Sequence, residues 1–286
     1  MRVQVMSGGD GSGGGATMRN SVRLAALPML LLAVPAVAAT NCGVGPIVAA
    51  TANSLTLQTL PWTPFRKLET GWETYAPLIA AEIGTTCSPA APGFAQALAV
   101  WQRARGLPAT GVFDARAFVT MFARWQARRP FVALRGRGVC PNPPRVVLAA
   151  RGYLGKTVKL RPKALGAYRA MVAAAHADVS ALRRDARWLA IYSGFRDPAA
   201  DAARCVTEGN CDGSRRAVCS AHRTGLALDL YVGEAPGYGP DSTKDPNRRA
   251  MSATPAYRWL VANAKRFGFV NYAYEPWHWE WTGEAP

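Results

Sequence analysis

Acidic residues are scarce in this chain. Eighteen aspartates and glutamates face 34 lysines and arginines, for a formal net charge of +16. Such a charge draws polyanions, but the basic residues are scattered, mostly as arginines among alanines and leucines. That scatter argues against a nucleic-acid partner. Charged residues of both signs make up only 18% of the chain and hydrophobic ones 49%, which excludes a disordered polymer and calls for a packed core. Long apolar runs are also missing. The stretch from Leu24 to Val34 is eleven residues with Pro28 inside it, short of the ~20 that a spanning helix needs. No stable membrane span is therefore expected once a leader is removed. C-x-x-C pairs are lacking, which argues against a structural zinc site built from Cys205, Cys211 and Cys219. Histidine is limited to three residues, His176, His222 and His278.

The chain opens on a glycine-rich stretch from Ser7 to Gly15, too poor in apolar area to fold. Arg19 and Arg23 then precede the short apolar stretch, and small residues follow at Ala36-Val37-Ala38-Ala39. Basic, apolar and small residues in that order make an export signal. Residues 1–39 are thus expected to be signal peptide and disordered leader, and the protein exported, periplasmic or extracellular. Removing them takes away three arginines and one aspartate, leaving a charge of about +14. All six cysteines lie beyond that point: Cys42, Cys87, Cys140, Cys205, Cys211 and Cys219. An even count in an exported chain reads as disulfides, with 15 connectivities open.

Residues 40–70 show no sustained period and read as an irregular lead-in. A helix is expected near Tyr75 to Ile83, and Phe94, Leu98 and Trp101 fall on one face of the next. Gly106-Leu107-Pro108 ends that helix, and Asp114 caps another carrying Phe118, Met121, Phe122 and Trp125. Residues 129–162, with Arg-Gly pairs and Pro141, Pro143 and Pro144, read as a linker. Lys163 to Arg187 is Ala-rich and helical; Trp188–Tyr192 and Leu226–Val232 read as strands. Pro255 to Phe267 reads as a helix stopped by Gly268, and aromatic strands close the chain. The expected class is α+β: a small antiparallel sheet with flanking helices over 163–286, preceded by a small three-helix module over 70–128.

Two dense motifs hold the chemistry. In Ser220-Ala-His222-Arg-Thr-Gly225-Leu-Ala-Leu-Asp229, a glycine turn lets a histidine before a strand and an aspartate on it converge. Leu226, Leu228 and Leu230 take one strand face, so Asp229 lies on the other beside small Ala227. In Glu275-Pro-Trp-His278-Trp-Glu280-Trp281, the tryptophans share one face while His278 and Glu280 share the other. Glu275 has the wrong parity for a straight strand, and a bend at Pro276 would bring it to the same site. A catalytic zinc takes three protein ligands plus water, with a carboxylate nearby to accept the water's proton. His222, Asp229 and His278 are the expected ligands and Glu275 the expected base. Glu280, on the same face as His278, reads as a further ligand or as a hydrogen-bond acceptor for a histidine N–H, the second being favoured. His176 reads as a packing residue on a helix, Asp197 as a helix cap and Asp201 as a pocket-edge group.

The pattern S-x-H-x-x-G-x-A-x-D followed by E-x-W-H resembles the VanY-type D-alanyl-D-alanine carboxypeptidases, in the wider zinc-peptidase group with lysostaphin-type and hedgehog-type domains. Tyr192-Ser193-Gly194-Phe195-Arg196 is similar to that family's S-G-[YF]-R segment. The resemblance spans roughly 160–282. It implies that Arg196 contacts a substrate carbonyl or carboxylate, and that Ser193 and Ser220 make substrate contacts. Where the family usually has a glutamine, five residues after the arginine, this chain has Asp201. Further upstream, Trp101, Gln102, Gly106, Leu107, Thr110, Gly111, Val112, Asp114 and Ala115 resemble the three-helix peptidoglycan-binding module, which implies a weak wall tether. Together these imply a zinc-dependent D,D-carboxypeptidase acting on peptidoglycan stem peptides. An endopeptidase cutting L-Ala-D-Glu or cross-bridges, and a non-catalytic wall-binding protein, are the alternatives.

Overall fold

The computed structural model describes residues 41–135, 140–209, 211 and 219–286. The expected export signal and leader lie outside these residues. In chain order the elements are α1 (Ile47–Thr59), β1 (Pro61–Trp62), β2 (Glu69–Thr70), α2 (Ala76–Ile83), α3 (Pro92–Arg103), α4 (Ala115–Ala127) and α5 (Pro130–Arg135). Then follow β3 (Leu148–Arg151), β4 (Thr157–Leu160), α6 (Pro162–Asp178), α7 (Ser180–Arg184), β5 (Ile191–Ser193) and α8 (Pro198–Thr207). The chain closes with β6 (Ala227–Leu230), α9 (Asp245–Ala253), α10 (Pro255–Asn263), β7 (Phe269–Tyr272) and β8 (Glu275–Trp281).

The central sheet is antiparallel with strand order β5-β6-β8-β7. One of its faces is apolar because Leu228, Leu230, Trp277, Trp279 and Trp281 alternate onto it. That face packs on Leu165 and Met171 of α6 and on Tyr257 and Leu260 of α10. The opposite face carries Asp229, His278 and Glu280, all buried. The α+β class expected from the sequence is the architecture found.

The N-terminal helices have a second, aromatic core built on Trp62, Trp72, Tyr75, Phe94, Phe113 and Phe118. Asp114 caps α4 as expected, accepting a hydrogen bond from the Ala117 N–H at 2.7 Å. The lead-in differs from its sequence reading, since it holds α1 and the short strands β1 and β2. This helix is poorly amphipathic, and a buried side chain fixes it: Asn53 donates to the Gly111 carbonyl and accepts from the Phe113 N–H, both at 2.8 Å.

The segment 129–162 also differs from the expected linker. It holds α5, the β3–β4 hairpin and the start of α6. Phe131, Val158 and Leu160 are buried, so its apolar residues dock instead of spanning open space. The helical region is likewise not free of the sheet region. Arg248 of α9, fully buried, donates to Glu69 at 2.9 Å and to the Tyr274 carbonyl at 2.8 Å, and also bonds the Tyr75 hydroxyl. Disulfides join Cys42 to Cys87, Cys140 to Cys219 and Cys205 to Cys211. Among the described residues, no helix is long and apolar enough to cross a membrane.

Candidate active site

The strand register makes the site. Asp229 on β6 lies directly opposite His278 on β8, and Ser193 on β5 lies opposite Asp229 from the other side. Directly opposed residues on one sheet face have Cβ atoms ~5 Å apart, close enough to share an ion. His222 comes from a 3-10 turn at Ala221–Thr224, just ahead of β6. Ser220 caps that turn, accepting from the His222 N–H at 3.2 Å. Gly225 closes it in the left-handed region at φ 68°, where a side chain would be strained.

Each histidine is oriented by a second hydrogen bond. His222 Nδ1 lies 2.8 Å from the Gly194 carbonyl, which leaves Nε2 facing Asp229 Oδ2 at 3.1 Å. Gly194 is required at its position because a Cβ there would sit 2.5 Å from the Lys159 carbonyl oxygen on β4. His278 presents Nδ1 to Asp229 Oδ1 at 2.9 Å and Nε2 to Glu280 Oε1 at 3.4 Å. One ligand atom from each of His222, Asp229 and His278 falls within 4.8 Å of the others. Two imidazole nitrogens and a carboxylate, with the far nitrogens engaged elsewhere, form a donor set that suits zinc with an open fourth position.

Charge in this pocket is strongly coupled. Burial alone would raise Asp229, but the two histidines outweigh it and hold its carboxyl well below the usual range. Burial opposes the charge on His278, yet its bonds to Asp229 and Glu280 prevail and lift it to about 9. Burial would also raise Glu280, and Arg129 and His278 bring it down to about 2. Glu275 moves the other way. Burial pushes it up, and the Asp229 charge adds to that push against the pull of the histidines.

Glu275 reaches this electrostatic environment through a bulge. Asn271 pairs with Trp279, but the next residue, Tyr272, pairs with Glu275, so β8 bows out between them. The buried Asn271 clamps the bow, donating to the His278 carbonyl at 2.9 Å and the Glu275 carbonyl at 3.2 Å. The expected bend at Pro276 is therefore a register change, and Asn271 is a residue the sequence reading missed.

Arg196 follows β5, half-buried, and donates to Ser220 Oγ at 3.1 Å. Burial lowers its pKa, while Asp229, Asp201 and Glu275 act in the opposite sense. Asp197 caps α8 through the Ala200 N–H at 2.8 Å. Asp201 is buried and accepts from the Ser220 N–H at 2.9 Å. It thus fixes the motif serine from behind, where a pocket-edge position was expected. Trp277 lies in the core, and His176 lies on α6, outside the His222–Asp229–His278 cluster.

The fold and the site together define an α+β domain with a buried two-histidine, one-aspartate cluster on a small antiparallel sheet. The family model for VanY, D-alanyl-D-alanine carboxypeptidase, matches residues 157–284. Over those residues, somewhat less than half of the chain, the protein is similar to the VanY domain. The helices before β4 lie outside the match. No curated protein matches the chain.

Proposed function

We propose that the protein is a zinc-dependent D,D-carboxypeptidase that removes the terminal D-alanine from peptidoglycan stem peptides. The observation that carries this reading is the convergence of His222 Nε2, Asp229 and His278 Nδ1 within 4.8 Å, beside a carboxylate that no ligand role requires. Zinc bound there would polarise the scissile carbonyl and make a water easier to deprotonate.

The protein's own groups do the rest. Glu275, held by the bulge and raised by burial, accepts the proton of the attacking water and delivers it to the leaving amine. Arg196, fixed by Ser220 Oγ, meets the negative charge of the substrate, either the carbonyl oxygen as it becomes anionic or the terminal carboxylate. Ser193 and Ser220 line the same side and offer hydroxyls to the peptide. Three disulfides suit an oxidising compartment, which supports export to the periplasm or beyond. The helical region is proposed to contact the wall, as its resemblance to peptidoglycan-binding modules implies.

Metal analysis of the dialysed protein tests the centre of this reading. One zinc per chain is expected, lost in His222→Ala and in His278→Ala and kept in His176→Ala. A metal-free protein that hydrolyses stem peptide in strong chelator overturns it.

A further inference from the structure

Glu280 makes more contacts than a hydrogen-bond acceptor on a strand requires. Its Oε1 accepts from Arg129 Nε at 2.7 Å and faces His278 Nε2 at 3.4 Å, while Oε2 accepts from the Phe131 N–H at 3.0 Å. Arg129 stands between α4 and α5. A second guanidinium nitrogen donates to Gln126 Oε1 at 2.7 Å, and the group lies over the Tyr272 ring, 4.1 Å from its centroid. Arg129, Glu280 and His278 are each buried, at 7%, 1% and 4% exposure. The segment that supplies Arg129 and Phe131 precedes the matched family region by more than twenty residues of chain.

We infer that Arg129 is a positioning residue for the metal site, acting through Glu280 to fix the ring of His278. The inference rests on the reading of His278 as a ligand. For Nδ1 to face Asp229 and an ion, Nε2 must carry its hydrogen and something must receive it. Glu280 is the acceptor at that atom. An unpaired carboxylate there would add a second buried negative charge beside Asp229, and burial of an unpaired charge is strongly unfavourable. Arg129 removes that cost while holding Oε1 at a fixed point with a planar donor set. The N-terminal helices thereby set the orientation of a ligand 149 positions further along the chain from Arg129.

The test uses the full chain with its disulfides intact and zinc as the probe. Arg129→Gln and Glu280→Gln are each expected to weaken zinc 10–100-fold in chelator competition, the usual effect of removing a partner behind a ligand. In turnover, kcat is expected to fall more than KM rises, and Arg129→Lys, which keeps the charge, to recover part of the loss. A metal-independent arm follows the ring itself. With only three histidines, nitrogen-15 spectra of the zinc-free protein resolve His278, and its Nε2–H signal should shift and exchange faster in both variants. Should Arg129→Gln fail to fold, Arg129→Lys and Glu280→Gln carry the same measurements. Unchanged zinc affinity and an unchanged His278 signal in folded variants overturn the inference. A parent that binds no zinc, with the His278 signal still responding to Arg129, overturns the metal reading and leaves the positioning role standing.

Discussion

Arg248→Met is the perturbation that most sharply tests whether the helical region and the sheet region fold as one. Arg248 is fully buried, and its guanidinium bonds Glu69 of β2, Tyr75 before α2, Asp245 on its own helix and the carbonyl of Tyr274 between β7 and β8. The ring of Tyr274 lies 4.3 Å from its centre. Methionine fills much of the volume but leaves Glu69, itself 5% exposed, with only the Tyr75 hydroxyl at 2.7 Å for its charge. Removing one partner of a buried ion pair costs about 3–5 kcal/mol, and the lost cation–π contacts add roughly 0.5–2 kcal/mol. At about 2–4 °C per kcal/mol for a unit of this size, the unfolding midpoint should drop by roughly 10 °C or more. Guanidinium titrations followed by tryptophan fluorescence and by circular dichroism should still give one coincident transition. Adding Glu69→Gln should restore much of the loss, because the stranded charge goes with it. A cost below about 1 kcal/mol, or a helical region that melts separately, refutes the reasoning.

Other outcomes follow from the site. Arg196→Lys keeps the charge but loses the planar donor fork that meets Ser220 Oγ, so both kcat and KM should worsen; a change in KM alone limits Arg196 to ground-state binding. Replacing Cys140 and Cys219 together by alanine opens a loop with a sequence separation of 79 next to Ser220, which should cost up to about 4.5 kcal/mol by chain entropy; an unchanged denaturation midpoint contradicts this. In metal-free protein, His278 is raised to about 9, so its contribution to stability is full below its ordinary value of about 6.5 and lost as pH rises through 9. Asp229 is lowered and Glu280 falls to about 2, so theirs is present above the usual carboxylate range of about 4 and lost as pH falls from there through their lowered values, about 2 for Glu280. Thermal melts in chelator should therefore peak between about pH 4.5 and 6.5, and a midpoint that climbs from pH 6 to 9 contradicts that.

Much of the site was legible in the sequence because alternation and spacing are local. The leucines and tryptophans that flank Asp229 and His278 fix which face each residue takes, and the face determines what it meets. Register is not local, so the sequence posed the parity of Glu275 as a problem that only the β7–β8 bulge and Asn271 resolve. Long-range partners were equally hidden: Arg129 and Glu280 are 151 residues apart, and nothing in either motif points to the other. Helix α1 escaped notice because its buried side is Ala49, Ala50 and Asn53, too small and polar to mark an apolar stripe. The prolines and Arg-Gly pairs of 129–162 signalled a linker, but Phe131, Val158 and Leu160 had enough apolar surface to dock it.

The most direct test of the central claim is a product analysis. A stem peptide ending in D-Ala-D-Ala is incubated with the zinc-loaded protein and with Glu275→Gln, and products are read by mass spectrometry. The parent should release the terminal D-alanine and nothing else. Glu275→Gln should bind zinc as the parent does and turn over about 10²–10⁴-fold more slowly. An intact peptide, a cut elsewhere in the stem, or full activity in Glu275→Gln would contradict the account.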